Sequence, residues 1–68
     1  LKSLLEILNL STDHLKKYGV DEPRFSSELI IMKVLNIRRL DIYLQFERVL
    51  TEDEISKIRS LLKRRSKH

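Results

Sequence analysis

PRFSSELIIMKVLNIRRLDIYL, residues 23–44, decides how this 68-residue chain folds. Within it Leu29, Ile30, Ile31, Met32, Val34 and Leu35 put apolar side chains on nearly every side of a helix. A helix apolar all round cannot face water and has to be wrapped by other elements. Pro23 suits the first helical turn, where its missing N–H costs nothing. Asp21 or Glu22 stands where a cap is needed, and Asn36 supplies a stop. The stretch therefore reads as a central helix over 22–35 followed by a short helix over 38–44, with the rest of the chain arranged to cover them.

Upstream, Leu4, Leu8, Ser11, Leu15 and Tyr18 recur at spacings of four, three, four and three, one stripe of a helix over 2–18. Leu1, Leu5 and Thr12 widen that stripe. Ser3 and Glu6 have capping-box spacing. The polar run Asn9 to Asp13 is the weak point, but the stripe keeps its phase across it, which favours one helix. Gly19, the only glycine, then takes the left-handed conformation that ends helices, with Val20 placed for a Schellman contact to Leu15. Downstream, Leu40, Tyr43, Leu44 and Phe46 read as the apolar face of the short helix, with Ile42 beside it. Phe46, Val49 and Leu50 read as a plug at the bottom of the core. Thr51-Glu52-Asp53-Glu54 is a capping box, Thr51 the cap and Glu54 its reciprocal acceptor, with Leu50 and Ile55 placed for a hydrophobic staple. It opens a last helix over 51–67 whose inward face is Ile55, Ile58, Leu61, Leu62 and the stem of Arg65. Acids at its start and bases at its end both match the helix dipole. The fold class is all-α: a small bundle of three longer helices and one short one, in a single domain over 1–68.

Composition narrows what such a bundle does. At this length folding buries only about 60% of the unfolded chain's surface, and the core supplies roughly 3–5 kcal/mol of net stability. There is no cysteine, hence no disulfide and no thiolate metal site. His14 and His68 are too few and too far apart for a histidine metal site. No apolar run approaches the ~20 residues of a membrane span and no signal peptide is seen, so the cytoplasm is the default location. Leu1 already lies within a helical pattern and the chain stops in a charged helix, so it reads as a fragment of something longer. Fourteen Lys and Arg against ten Asp and Glu give a charge of +4, with four of the bases in residues 63–68.

No catalytic constellation, phosphate loop or metal-ligand spacing is present in the sequence. His14, beside Asp13, reads as a surface histidine on the outer side of the first helix. Glu28 reads as a half-buried ion-pair partner, with Arg24 four residues earlier on the same face and Arg38 or Arg39 within reach. Removing one member of such a pair is costly once it is desolvated. Arg38, Arg39 and Asp41 read either as a docking patch or as the polar side of a short helix. The basic end reads first as a solvated helix terminus, because a nucleic-acid site ordinarily brings interleaved aromatics or a recognition helix.

From residue 23 onward the chain resembles a known family. PRFSSELIIMKVL resembles the Pro-Arg-Leu-Asp-Ala-Glu-Leu-Leu-Leu segment in the N-terminal domain of the HemK/PrmC protein-glutamine methyltransferases. Arg39-Leu40-Asp41-Ile42-Tyr43-Leu44 is similar to that family's Arg-x-[Asp/Glu]-Leu-Tyr-Leu element. Leu50 to Glu54 resembles its Leu-Thr-x-x-Glu helix start, and Lys63 to Lys67 its Arg-Arg-x-x-Gly run. Ser26 and Ser27 depart from the usual Asp-Ala, Lys33 from a common His, and Asn36 and His68 from common glycines.

The resemblance implies a parent enzyme that moves a methyl group from S-adenosylmethionine to the Gly-Gly-Gln glutamine of class-I peptide-chain release factors. It implies that this chain is the substrate-recognition domain, with chemistry and cofactor in a Rossmann-like domain carrying Asn-Pro-Pro-Tyr, which is absent here. No catalytic, cofactor-binding or metal-binding residue carries over. Partner-binding residues are assigned to Arg38, Arg39, Lys63 and Arg64, nearer the release factor than His14. Structural roles go to Pro23, Arg24, Glu28, Thr51 and Glu54. Two other readings compete: a stand-alone nucleic-acid-binding module, which predicts steep salt dependence, and a purely structural or dimerising bundle.

Overall fold

A computed structural model describes residues 2–67, so the expectations for Leu1 and His68 lie outside the described residues. Four helices follow in order: α1 (Leu4–Lys17), α2 (Pro23–Leu35), α3 (Arg39–Leu44) and α4 (Glu52–Ser66). The all-α bundle read from the sequence is what forms, each helix ending within two residues of the expected bounds. The buried core is Leu4, Ile7, Leu8 and Leu15 from α1, Ile31 from α2, Ile42 from α3, Ile58 from α4, and Leu50 from the connector. α2 packs most extensively on α1, then on α4 and α3.

The helix ends follow local chemistry. Ser3 and Thr51 both make full capping boxes; the Glu54 N–H donates to Thr51 Oγ1 at 3.1 Å and the Thr51 N–H donates back to Glu54 Oε1 at 2.9 Å. α1 stays unbroken through residues 9–13 because Ser11 is buried and the Thr12 hydroxyl donates to the Leu8 carbonyl at 2.8 Å. It stops in a Schellman pair, Val20 N–H to Leu15 O at 3.0 Å and Gly19 N–H to Lys16 O at 3.1 Å, with Gly19 at φ +72. Asn36 ends α2 in the same left-handed region, φ 54. The start of α2 differs from expectation. Glu22 precedes Pro23 with φ 49 and makes no side-chain cap, so Pro23, in the first turn, carries the initiation. Side-chain capping ordinarily needs extended backbone at the cap residue, and Glu22 is left-handed instead.

The connector 45–50 does more than plug the core. Leu4 N–H donates to Arg48 O at 2.8 Å, Leu5 N–H to Phe46 O at 3.1 Å, and Leu50 N–H to Lys2 O at 3.1 Å. The Leu4 and Leu5 bonds satisfy amides that the first turn of α1 leaves without intrahelical partners. The Leu4–Arg48 and Leu50–Lys2 bonds flank an isolated antiparallel bridge, Ser3 to Val49. Val49 is accordingly exposed, serving through its backbone rather than as the expected core residue.

Two sequence expectations about burial are corrected. α2 is not wrapped on all sides: its buried residues are Ser26, Ser27, Glu28 and Ile31, while Phe25 and Leu29 are 42% and 46% exposed. Three neighbours of this size cover only part of a 13-residue helix, and the small serines lie on the covered part. α3 is turned relative to expectation. Ile42 is fully buried, whereas Leu40 and Leu44 are 60% and 72% exposed. The rotation follows from Arg39 and Tyr43, one turn apart, which both reach toward Glu28 on α2 and fix which side of α3 faces inward.

Candidate interaction surface

Glu28 lies in the second turn of α2 and is 1% exposed. The Tyr43 hydroxyl donates to its Oε2. Arg39 Nε approaches Oε1 to 2.9 Å, but off the N–H axis; the contact is an ion pair, and Oε1 accepts no directed hydrogen bond. The partner is thus Arg39, not Arg38, and not Arg24 four residues upstream. Arg24 lies over the Tyr43 ring at 5.9 Å from its centroid, bracing the tyrosine rather than the carboxylate. Arg39 also sits over the Phe25 ring at 5.6 Å, while its own side chain stays 59% exposed. One guanidinium therefore ties α3 to two residues of α2.

Arg38 is the more solvated neighbour. Its backbone N–H donates to Asp41 Oδ2 at 3.0 Å, and its guanidinium lies 3.4 Å from the same oxygen. The Arg38 backbone N–H first, and its side chain second, hold the Asp41 carboxyl below the usual carboxylate range. At the head of α4, Glu54 also accepts from Arg48 at 3.0 Å, so the capping box is tied to the connector; on the outer face Asp53 and Lys57, four residues apart, pair at 3.2 Å.

The structure does not unite the basic residues of α4 with those of α3. Lys63 lines a groove between α1 and α4 with Lys2, Leu10, His14 and Arg59. Arg64 lines the opposite groove, between α2 and α4, with Leu29, Lys33, Leu61 and Arg65. Arg65 reaches across to within 3.5 Å of Ser26 Oγ, its head spanning the helix contact. Arg38 and Arg39 line neither groove.

His14 is corrected. It is half-buried in the α1/α4 groove, its ring 4.9 Å from that of Tyr18, with Nε2 enclosed and without a hydrogen-bond partner among the described residues. Ile7, Leu10 and His14 recur at three and four, a second stripe beside the main one, and that spacing was the missed signal. Leu29, expected inside with the other aliphatics of α2, is instead nearly half exposed beside Phe25 one turn earlier.

The arrangement offers shape and charge: two grooves with aliphatic floors and cationic rims, and an α3 latched onto α2. S-adenosylmethionine does not fit these grooves. Its sulfonium is itself cationic and a ribose is ordinarily held by an acidic side chain, whereas the rims carry Lys2, Arg59 and Lys63 on one side and Lys33, Arg64 and Arg65 on the other.

Residues 6–68 match the family model described as the PrmC N-terminal domain. The chain is 35% identical over 66 residues to the release factor glutamine methyltransferase of Leptospira interrogans, covering 97% of this chain and 23% of that protein. It is 36% identical over 63 residues to the protein of the same name from Chlorobaculum tepidum, covering 93% of this chain and 21% of the relative. The match to the Rhodopirellula baltica protein of that name is 27% over 63 residues, covering 93% and 21%. The chain thus spans less than a quarter of the length of these relatives. No solved structure matches it at a significant level.

Proposed function

Since this chain belongs to the PrmC N-terminal domain family, we propose that it is the domain that recognises and positions a peptide-chain release factor within a larger methyltransferase. In this reading the parent enzyme methylates the glutamine of the release factor's Gly-Gly-Gln motif in the cytoplasm. S-adenosylmethionine supplies the methyl group from a separate catalytic domain. The observation that carries the reading is the family match across nearly the whole chain, joined to a bundle whose outward features are grooves and cations.

The contribution of this domain is geometric. Fixing a protein substrate so that one glutamine meets one pocket converts an encounter into an oriented, effectively intramolecular step. The Glu28–Arg39–Tyr43 latch suits that task, because it holds α3 and its exposed Arg38 in a fixed relation to α2. Arg38, Arg39, Lys63 and Arg64 are the proposed contacts to the release factor.

The test uses the intact parent enzyme with Arg38→Ala, Lys63→Ala and Arg64→Ala combined. Arg39 is probed separately as Arg39→Lys, which keeps a charge against Glu28. The triple variant should raise KM for the release factor at least tenfold while leaving the Kd for S-adenosylmethionine unchanged. An unchanged KM disposes of the proposed contacts. Binding of RNA in place of the release factor, lost steeply with added salt, favours the nucleic-acid module instead.

A further inference from the structure

We infer that the groove between α2 and α4 receives an acidic amphipathic segment of the partner protein, apolar side chains seating against Leu29 and Leu61 and carboxylates meeting Lys33, Arg64 and Arg65. This rests on the reading that the domain holds a release factor, and it names the surface and the chemistry of the segment held.

Three observations converge on it. The groove is about 460 Å³, with Leu29, Ile30 and Leu61 as its floor. Leu29 stands nearly half exposed, with Phe25 one turn before it, on a helix whose serines and glutamate are buried instead. An apolar pair exposed while polar neighbours are buried inverts the usual order, and large exposed apolar groups rimmed by charge mark interaction sites. The rim is also electrostatically unsatisfied. Elsewhere Arg38, Arg39, Arg48 and Lys57 each have a carboxylate, but among the described residues none lies within ion-pair distance of Lys33, Arg64 or Arg65. Asp21 lines the adjoining recess beyond Arg64 and Arg65 and makes no ion pair with them. The helix dipole accounts for cations at the ends of α2 and α4, but not for the exposed leucine between them.

The occupant follows by complementarity. A second copy of this +4 chain brings the same cations and is repelled. A base has no free aromatic face here, because the Phe25 ring already carries the Arg39 guanidinium. A bilayer is flat, whereas a cleft between two helices suits the ridge of a helix with apolar anchors three or four residues apart.

Isotope-labelled chain is titrated, with amide shifts as readout, against a 15-residue helical peptide of Glu with Leu at i and i+4. A second peptide has Lys for Glu and a third Ala for Leu. The first should move Leu29, Lys33, Leu61 and Arg65; the second should not bind, and the third should bind at least tenfold more weakly. Arg64→Glu with Arg65→Glu should weaken the first peptide at least tenfold, and Leu29→Gln similarly, with folding checked by circular dichroism. Lys16→Glu with Lys17→Glu, the same charge change on α1, should leave binding within threefold.

Equal binding of the Lys peptide, or shifts centred on Leu10 and His14, overturns the inference. So do shifts of these same amides on adding RNA or phosphatidylglycerol vesicles when the acidic peptide produces none. Release factor added last should displace the peptide. Release factor that binds without moving these amides overturns the inference alone; release factor that does not bind the chain overturns the functional reading beneath it.

Discussion

Replacing Arg39 by alanine strands a carboxylate. Glu28 is 1% exposed and has two partners, the Tyr43 hydroxyl and the Arg39 guanidinium 2.9 Å away. Removing one partner of a fully buried pair costs about 3–5 kcal/mol, because the survivor stays charged in a poor solvent. Arg39 itself is 59% exposed, so the pair is partly hydrated. Tyr43 still donates after the change. Both facts pull the expected loss to about 2 kcal/mol, below the buried-pair range but above the ~0–1 kcal/mol of a surface pair. For a domain holding only about 3–5 kcal/mol in total, that is near half its stability. In a chain of this size it lowers Tm by roughly 8–16 °C.

Urea unfolding followed by circular dichroism measures the change directly. The double variant Arg39→Ala with Glu28→Gln separates a stranded charge from lost packing. If the charge is responsible, the double variant is more stable than Arg39→Ala alone, since a neutral amide costs less to bury. A loss below about 0.5 kcal/mol, within the range of an ordinary surface substitution, or a double variant no better than the single, refutes the latch.

Other outcomes follow from the helix ends and the core. Thr51→Ala removes the acceptor that caps α4 and should cost about 1 kcal/mol in the same urea assay. Glu22 and Gly19 both sit in left-handed backbone, at φ 49 and φ 72. Glu22→Gly should therefore stabilise and Gly19→Ala destabilise, each by roughly 1 kcal/mol, the latter although nothing lies within 4 Å of the added methyl. Asp41 has a folded pKa below its ordinary 3.8, so its contribution is present above that value and is lost as pH falls through the folded pKa. Asp41→Asn should flatten the pH dependence of stability below about pH 4. Leu8→Ala, at a fully buried site, should cost about 2–5 kcal/mol, the largest loss of this set in the same urea assay.

What was legible in the chain was periodicity and punctuation. The α1 stripe, both capping boxes, the Gly19 stop and the Asn36 stop are local, set by neighbours within four residues, and each formed where its residues stand. The misread residues depend on which side of a helix its partners reach. Leu40 and Leu44 look like an inward pair until Arg39 and Tyr43 claim Glu28 and turn α3 outward. His14 looks peripheral until α4 closes over that flank of α1. Leu29 looks like core because a helix rich in aliphatics invites wrapping, yet the small serines and Glu28 occupy the contacts that α1, α3 and α4 make. Val49 is in the connector for its backbone, a role no hydrophobicity pattern reveals. The basic residues were visible, but their division into two grooves on opposite flanks of α4 needed the packed helices.

The most direct measurement compares two substrates with the parent enzyme, with and without this domain. One is the intact release factor and the other a short peptide carrying Gly-Gly-Gln. If the domain holds the release factor, its removal raises KM for the intact protein at least tenfold and leaves kcat/KM for the peptide unchanged. An equal loss on both substrates contradicts the account, because the bundle then supports the catalytic domain rather than the substrate.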